Sequence, residues 1–160
     1  MDTYLAIASR REVREYTDAP IPEDVVHRIL DAGRLSGSSR NSQQWEFVVV
    51  GDKEALAAVV YAPGNVLGAA LAVAIAGSAF QFDKGRAAQN MMLTAWNEGV
   101  GSCPNGISDA EAAERIVGAP VGMVLTFGYP AKPRDPSSRS AEEWSARANR
   151  KPLDELVRRI

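Results

Sequence analysis

Residues 38–50 read SSRNSQQWEFVVV: seven polar residues run into Trp45, and a valine-rich segment follows. A tight hairpin would place Gly or Pro in such a run, and an amphipathic helix would carry an apolar stripe. The run has neither. Trp45–Val50 therefore reads as a first strand, and Ser38–Gln44 as a segment whose side chains wait for hydrogen-bond partners from elsewhere.

On the N-terminal side, Thr3–Ser9 reads as a short helix that leads into the basic group Arg10, Arg11 and Arg14. A second helix opens at Pro22, with Glu23 and Asp24 at its positive end. Val25, Val26, Ile29 and Leu30 form its apolar stripe, and Gly33 is placed to close it. On the C-terminal side, Gly51 and Asp52 turn the chain into a helix carrying Leu56, Val59 and Val60. Ala69–Ala76 contains LAVAIA without polar alternation, which suits a strand buried on both faces. Asp83 is placed to cap a long helix over residues 84–98, with Ala87, Ala88, Met91, Met92 and Ala95 facing inward. Gly99–Gly106 reads as a glycine-bearing loop. Ser108 and Glu111 suggest a capping box for a helix that ends at Gly118, and Val121–Phe127 is a third strand. Residues 131–151 read as an extended arm, followed by a short amphipathic helix bearing Leu153, Leu156, Val157 and Ile160. The order α-α-β-α-β-α-α-β-α predicts an α+β layer fold, with a small central sheet flanked by helices. Residues 1–160 form one domain, with 131–160 as its C-terminal arm and helix. Three strands and a loose arm are thin for a monomer, so a partner subunit is a natural remedy.

With 46% apolar and 24% charged residues, the chain has ordinary globular composition. A net charge of −2 gives no general pull toward nucleic acid. Glu12 and Glu15 also oppose a basic face built from Arg10, Arg11, Arg14 and Arg40. Cys103 is the lone cysteine, so no internal disulfide is possible and a reducing compartment fits. The N-terminus lacks the order of a signal peptide, and no run is long enough for a membrane helix. The expectation is a soluble cytoplasmic protein with no membrane or nucleic-acid partner. No metal site is expected, because the lone His27 has no second ligand at metal spacing. Gly99-Val100-Gly101-Ser102-Cys103-Pro104 follows a helix and carries Pro at the third glycine position, so it is not a dinucleotide fingerprint. Arg10 and Arg14, four residues apart, would share a face if the first helix continued. With Arg11 they repel one another unless an anion, such as a phosphate, sits among them.

The ordered set SRREVREYTDAPI (9–21), SSRNSQQWEFVVV (38–50), DKGRAAQNMMLTAWNEGVGSCPNGI (83–107), VLTFGYP (124–130) and RKPLDELV (150–157) resembles the FMN-dependent nitroreductase family across nearly the whole chain. The resemblance implies an interlocked homodimer with one FMN in each of two interface clefts. It also implies a ping-pong cycle: hydride passes from NADH or NADPH to flavin, and then to a nitroaromatic, quinone or similar small-molecule acceptor. By resemblance, Arg10 and Arg11 match the phosphate and ribityl contacts, Arg14 the cation near flavin N1 and O2, and Arg150 a late phosphate ligand. Ser38, Ser39 and Asn41 match contacts to the partner's flavin, with Trp45 packed beneath. Asn105 and Gly106 match the backbone segment near N5 and O4, and Asn65 is a further candidate at the flavin edge. The chemistry is flavin-centred and requires no catalytic side chain. Glu12, Gln44 and Ala148 depart from the family pattern. The short link between Ala76 and Asp83 departs too, because many relatives place a long helical excursion there. A flavin-binding redox sensor or carrier with little turnover, and a deazaflavin-linked reductase, remain alternatives.

Overall fold

The computed structural model describes residues 1–160. In chain order its elements are α1 (Thr3–Ser9), α2 (Glu23–Arg34), β1 (Glu46–Val49), α3 (Lys53–Ala57), α4 (Pro63–Leu67), β2 (Leu71–Ala76), α5 (Gln81–Asn97), β3 (Gly101–Asn105), α6 (Ala110–Val117), β4 (Val121–Gly128) and α7 (Ala141–Ala146). Residues 11–133 make one compact unit; residues 1–10 with 134–160 make another.

The larger unit is a four-stranded antiparallel sheet in the order β1-β2-β4-β3, with helices on both faces. β2 is buried along its whole length, as its unbroken apolar run predicts. Side chains alternate across a strand, so Leu71, Val73 and Ile75 face one core while Ala72 and Ala74 face the other. The first core adds Val25 and Ile29 of α2, Met91, Met92 and Ala95 of α5, and Leu125 and Phe127 of β4. The second is made of smaller groups: Leu56 and Ala57 of α3, Val66 of α4 and Ala113 of α6. Gly33 does not close α2. It lies buried inside the helix, where an added Cβ would stand 2.9 Å from both the Met91 sulfur and the Phe47 ring. The close approach of α2 to α5 requires its missing side chain.

Other expectations are corrected at the element level. Gly99–Gly106 is not a loop: five of its residues form β3, paired with β4. Pro104 is tolerated because β3 has a strand on one side only, and a proline cannot donate across a ladder. α3 stops at Ala57, so Val59 and Val60 are buried beyond it. α6 is capped by Asp109 rather than Ser108, with the Asp109 carboxylate accepting from Ala112 N at 2.9 Å. Gly118 ends that helix in the left-handed conformation, as expected.

In the smaller unit, the Asp2 side chain caps α1 by accepting from Leu5 N, and α1 packs on α7. α7 lies inside the stretch read as an aperiodic arm. A reciprocal capping box between Ser140 and Glu143 starts it. Trp144 is buried and donates its indole N–H to the Pro136 carbonyl at 2.8 Å, while the Arg139 guanidinium stacks on its ring. The expected C-terminal amphipathic helix is only a 3-10 turn, Leu153–Glu155. Leu153, Leu156, Val157 and Ile160 are all exposed, so this stripe has no packing to hold it helical.

Candidate functional site

Three segments of the larger unit carry all the candidate residues except Arg10 and Arg150. The first runs along the free side of β3. Val13 N donates to Ser102 O at 3.0 Å, Glu12 bridges Ser102 in parallel, and Thr17 N donates to Tyr129 O at 2.8 Å. Two glycines make this possible. Gly101 and Gly128 are register partners; a Cβ on the first would meet Val13 at 2.7 Å, and one on the second would meet the Tyr16 ring at 2.8 Å. The edge segment thus lies directly on the sheet. Tyr16 fixes its far end, donating to Val13 O at 2.6 Å and sharing a hydrogen bond with Thr126 Oγ1 at 3.2 Å. Burial pushes the Tyr16 phenol well above its usual range, and the Thr126 hydrogen bond only partly offsets this.

Arg11 is half-buried and Arg14 exposed on this edge segment. Arg10 and Arg14 do not share a helical face, because α1 ends at Ser9 and the chain then extends. Arg10 caps α1 in the smaller unit, its N–H bonding Ala6 O at 3.0 Å. The Glu12 carboxylate turns inward, with Oε2 buried. The Ser102 hydroxyl is buried on the same edge without a protein partner.

The second segment ends β3. Asn105 is 3% exposed, and its amide donates to Cys103 O, Val124 O and Thr126 Oγ1. Its Oδ1 accepts from Asn65 at 2.8 Å. These bonds commit both asparagine side chains to the protein, so a ligand here would meet the backbone of 105–106. Gly106 is exposed; its carbonyl accepts from Tyr61 N, and its Cα faces the Tyr61 ring. Tyr61, an aromatic 78% exposed over this glycine, is a further candidate that sequence reading missed. Nothing in its local pattern announces it. Cys103 is buried in the strand.

The third segment is the polar run. Ser39–Asn41 form a 3-10 turn, and Arg40, Asn41 and Gln43 all have φ between 50 and 54°. Arg and Gln enter this region at a cost of roughly 1–2 kcal/mol each, whereas Asn tolerates it better. The turn is nevertheless fixed: Gln43 N donates to Ser38 Oγ, Ser39 N to Asp83, and Ala79 N to Gln44 O. Ser39, Arg40 and Asn41 are exposed, and Ser38 is half-buried. Trp45 is buried and stacks on Phe47 at 6.2 Å. The pair lines a cavity of about 440 Å³ with His27, Asp31 and Arg34. Arg34, 2.6 Å from Asp31, holds that carboxyl below its usual range.

Arg150 lies in the smaller unit, exposed, one residue past a left-handed Asn149. No helix is long and apolar enough to cross a membrane, and no cluster of His, Cys, Asp and Glu is placed to hold a metal ion.

Residues 7–84 and 74–129 match the model of the nitroreductase family. The chain belongs to that family. Among its relatives, a protein from Archaeoglobus fulgidus named NADH dehydrogenase/NAD(P)H nitroreductase is 30% identical over 81% of this chain and 86% of the relative. A protein of the same name from Methanothermobacter thermautotrophicus is 28% identical over 90% of this chain and 88% of its own. The crystal structure of a nitroreductase in complex with FMN, from Desulfovibrio desulfuricans, superimposes with a TM-score of 0.79 at 25% identity, covering 98% and 96% of the two chains. These likenesses span nearly whole chains, so this nitroreductase-family chain carries the family's layered α+β fold throughout.

Proposed function

We propose that this protein is an FMN-dependent oxidoreductase that takes hydride from NADH or NADPH and delivers it to nitroaromatic, quinone or similar small-molecule acceptors. The whole chain, residues 1–160, acts as one domain in a homodimer. The observation that carries this reading is the Ser38–Asn41 turn. Its polar groups are held exposed in costly backbone conformations, in a chain of this family. Such strain persists where function requires a fixed geometry.

The residues present fit FMN. Gly106 is exposed and has no side chain of its own, the edge segment offers guanidinium groups, and the turn offers hydroxyl and amide groups. Bound FMN supplies two-electron hydride chemistry. Arg10, Arg11 and Arg150 would hold its phosphate and ribityl chain, each with forked donors suited to an anion. Arg14 would supply positive charge to the pyrimidine end of the flavin, where negative charge gathers on reduction. The 105–106 backbone would serve N5 and O4, and Ser38, Ser39 and Asn41 would serve the flavin of the partner subunit. No side chain has to move a proton. Homodimerisation is supported by Tyr4, Ile7, Phe80 and Phe82, all more than half exposed on the single chain.

The test is an absorbance spectrum of the purified protein, followed by anaerobic addition of NADH or NADPH. Flavin bands that bleach are expected. A colourless protein that takes up no added FMN refutes the proposal. One observation favours a second reading, a flavin-binding sensor with little turnover: Glu12 brings a carboxylate among the proposed phosphate ligands. Multiple turnovers of nicotinamide with an artificial acceptor would exclude the sensor.

A further inference from the structure

We infer that Asp83 is a positioning residue, which locks the Ser38–Asn41 turn in its ligand-ready shape from the first turn of α5. The inference rests on the FMN reading for its consequence, but not for its geometry.

Asp83 is 3% exposed, and its Oδ2 accepts the Ser39 amide at 3.0 Å, across 44 residues of sequence. By residue type Asp83 reads as the cap of its own helix. Here the cap position belongs to Phe80, which makes no side-chain cap bond, and Asp83 sits inside the first turn. The helix dipole stabilises the buried charge there, so the carboxylate can reach outward to the polar turn. The turn needs such a hold. Three non-glycine residues within four positions adopt left-handed φ values, and an exposed segment of that kind relaxes unless something outside it fixes it.

The other end is gripped by the same connection. Ala79 N donates to Gln44 O at 2.9 Å, and Gly77, at φ 90°, approaches so closely that a Cβ would stand 2.5 Å from that oxygen. Lys84, next to Asp83 and 4% exposed, holds Gly77 in place by donating to its carbonyl at 2.7 Å. Thus Asp83 clamps the front of the polar run, and Gly77 and Ala79 clamp the back. Where many relatives have an excursion, this chain has four residues between β2 and α5, and they do this holding.

The experiment measures amide hydrogen exchange over residues 38–44 and over β2, together with FMN affinity by fluorescence titration, for wild type, Asp83→Ala and Asp83→Asn. In Asp83→Ala, exchange in 38–44 is expected to accelerate and the FMN Kd to rise by about ten- to a hundred-fold, the range set by losing a charge-assisted hydrogen bond. Exchange in β2 should stay slow. Asp83→Asn keeps an accepting oxygen but loses the charge, so its exchange and Kd should fall between those of wild type and Asp83→Ala; if the alanine variant fails to fold, wild-type exchange at 38–44 in Asp83→Asn overturns the inference. A residue of merely structural importance would loosen β2 and 38–44 together, and that result overturns the inference. Unchanged exchange at 38–44 overturns it too. Absence of FMN binding in wild type would refute the proposed function, while the exchange comparison would still decide the clamp.

Discussion

Gly101→Ala tests whether the edge segment owes its place to the missing side chain beneath it. The new Cβ would stand 2.7 Å from Val13 Cβ and Cγ2 and 2.9 Å from Cγ1, where carbon atoms normally settle at about 3.5–4.0 Å. Neither side can yield easily. Gly101 is paired to Gly128, and Val13 is tied to Ser102 by a 3.0 Å hydrogen bond. Overpacking of this kind costs about 1–3 kcal/mol, and weakening the Val13–Ser102 bond adds about 1 kcal/mol. At about 2–4 °C per kcal/mol for a chain of this size, the melting temperature should fall by about 4–16 °C, read by calorimetry without added flavin. FMN affinity should fall as well, because Arg11 and Arg14 ride on the displaced segment. The control is the same substitution in a Val13→Gly background. There the contact is gone, and Ala at 101 should be neutral or slightly stabilising, since it restricts the unfolded chain. A melting temperature within about 1 °C of wild type, or an equal penalty in both backgrounds, would refute the argument.

Tyr16 makes stability depend on pH in the alkaline range. Its phenol is raised in the folded state, so above the ordinary value of about 10 the unfolded chain loses a proton that the native chain keeps. Stability is therefore full below that pH and falls by up to about 1.4 kcal/mol per pH unit above it. Denaturant titrations at several pH values should show this slope in wild type and its absence in Tyr16→Phe. Arg10→Ala should lower flavin retention far more than it changes circular dichroism, and full flavin occupancy on purification would exclude the phosphate role. Truncation before Arg150 should abolish both dimerisation by sedimentation and flavin copurification; a stable yellow truncated dimer would contradict the role given to the arm.

The parts of this fold legible in sequence are those whose cause is local. LAVAIA declares a strand buried on both faces because every side chain in it is apolar. Asp52 declares a helix start because its carboxylate caps Ala55, three residues on. β3 was read as a loop because glycine and proline ordinarily break strands. Yet Gly101 is there to admit Val13, a neighbour 88 positions earlier, and local pattern cannot reveal such a contact. Ser108 and Asp109 are both good caps, and only the backbone geometry chooses Asp109. α7 is held by Trp144 reaching Pro136, in a stretch too short to display a helical period. The candidate site divides the same way. The polar run at 38–44 stands out in the sequence as a segment without local partners, and its proposed role rests on the family resemblance. In sequence Asp83 reads as a helix cap, because its partner Ser39 is 44 residues away. The commitment of the Asn105 side chain to Thr126 and Asn65 is invisible without the sheet.

The short connection after β2 also bears on what the proposed enzyme can accept. A lid must project over a substrate, whereas a clamp must stay close to what it holds. Four residues cannot do both. Here Gly77 and Ala79 lie against Gln44, and the chain enters α5 at once, bringing Asp83 to Ser39. Phe80 is left outward, 67% exposed. The connection thus fixes the geometry of the polar turn while building no cover above it. If the proposed function holds, a flavin face left without a lid from this connection would select acceptors by redox potential and planarity more than by shape. On that reading, Gly77, Asp83 and Gly101 would act on cofactor affinity only through the residues they hold in position.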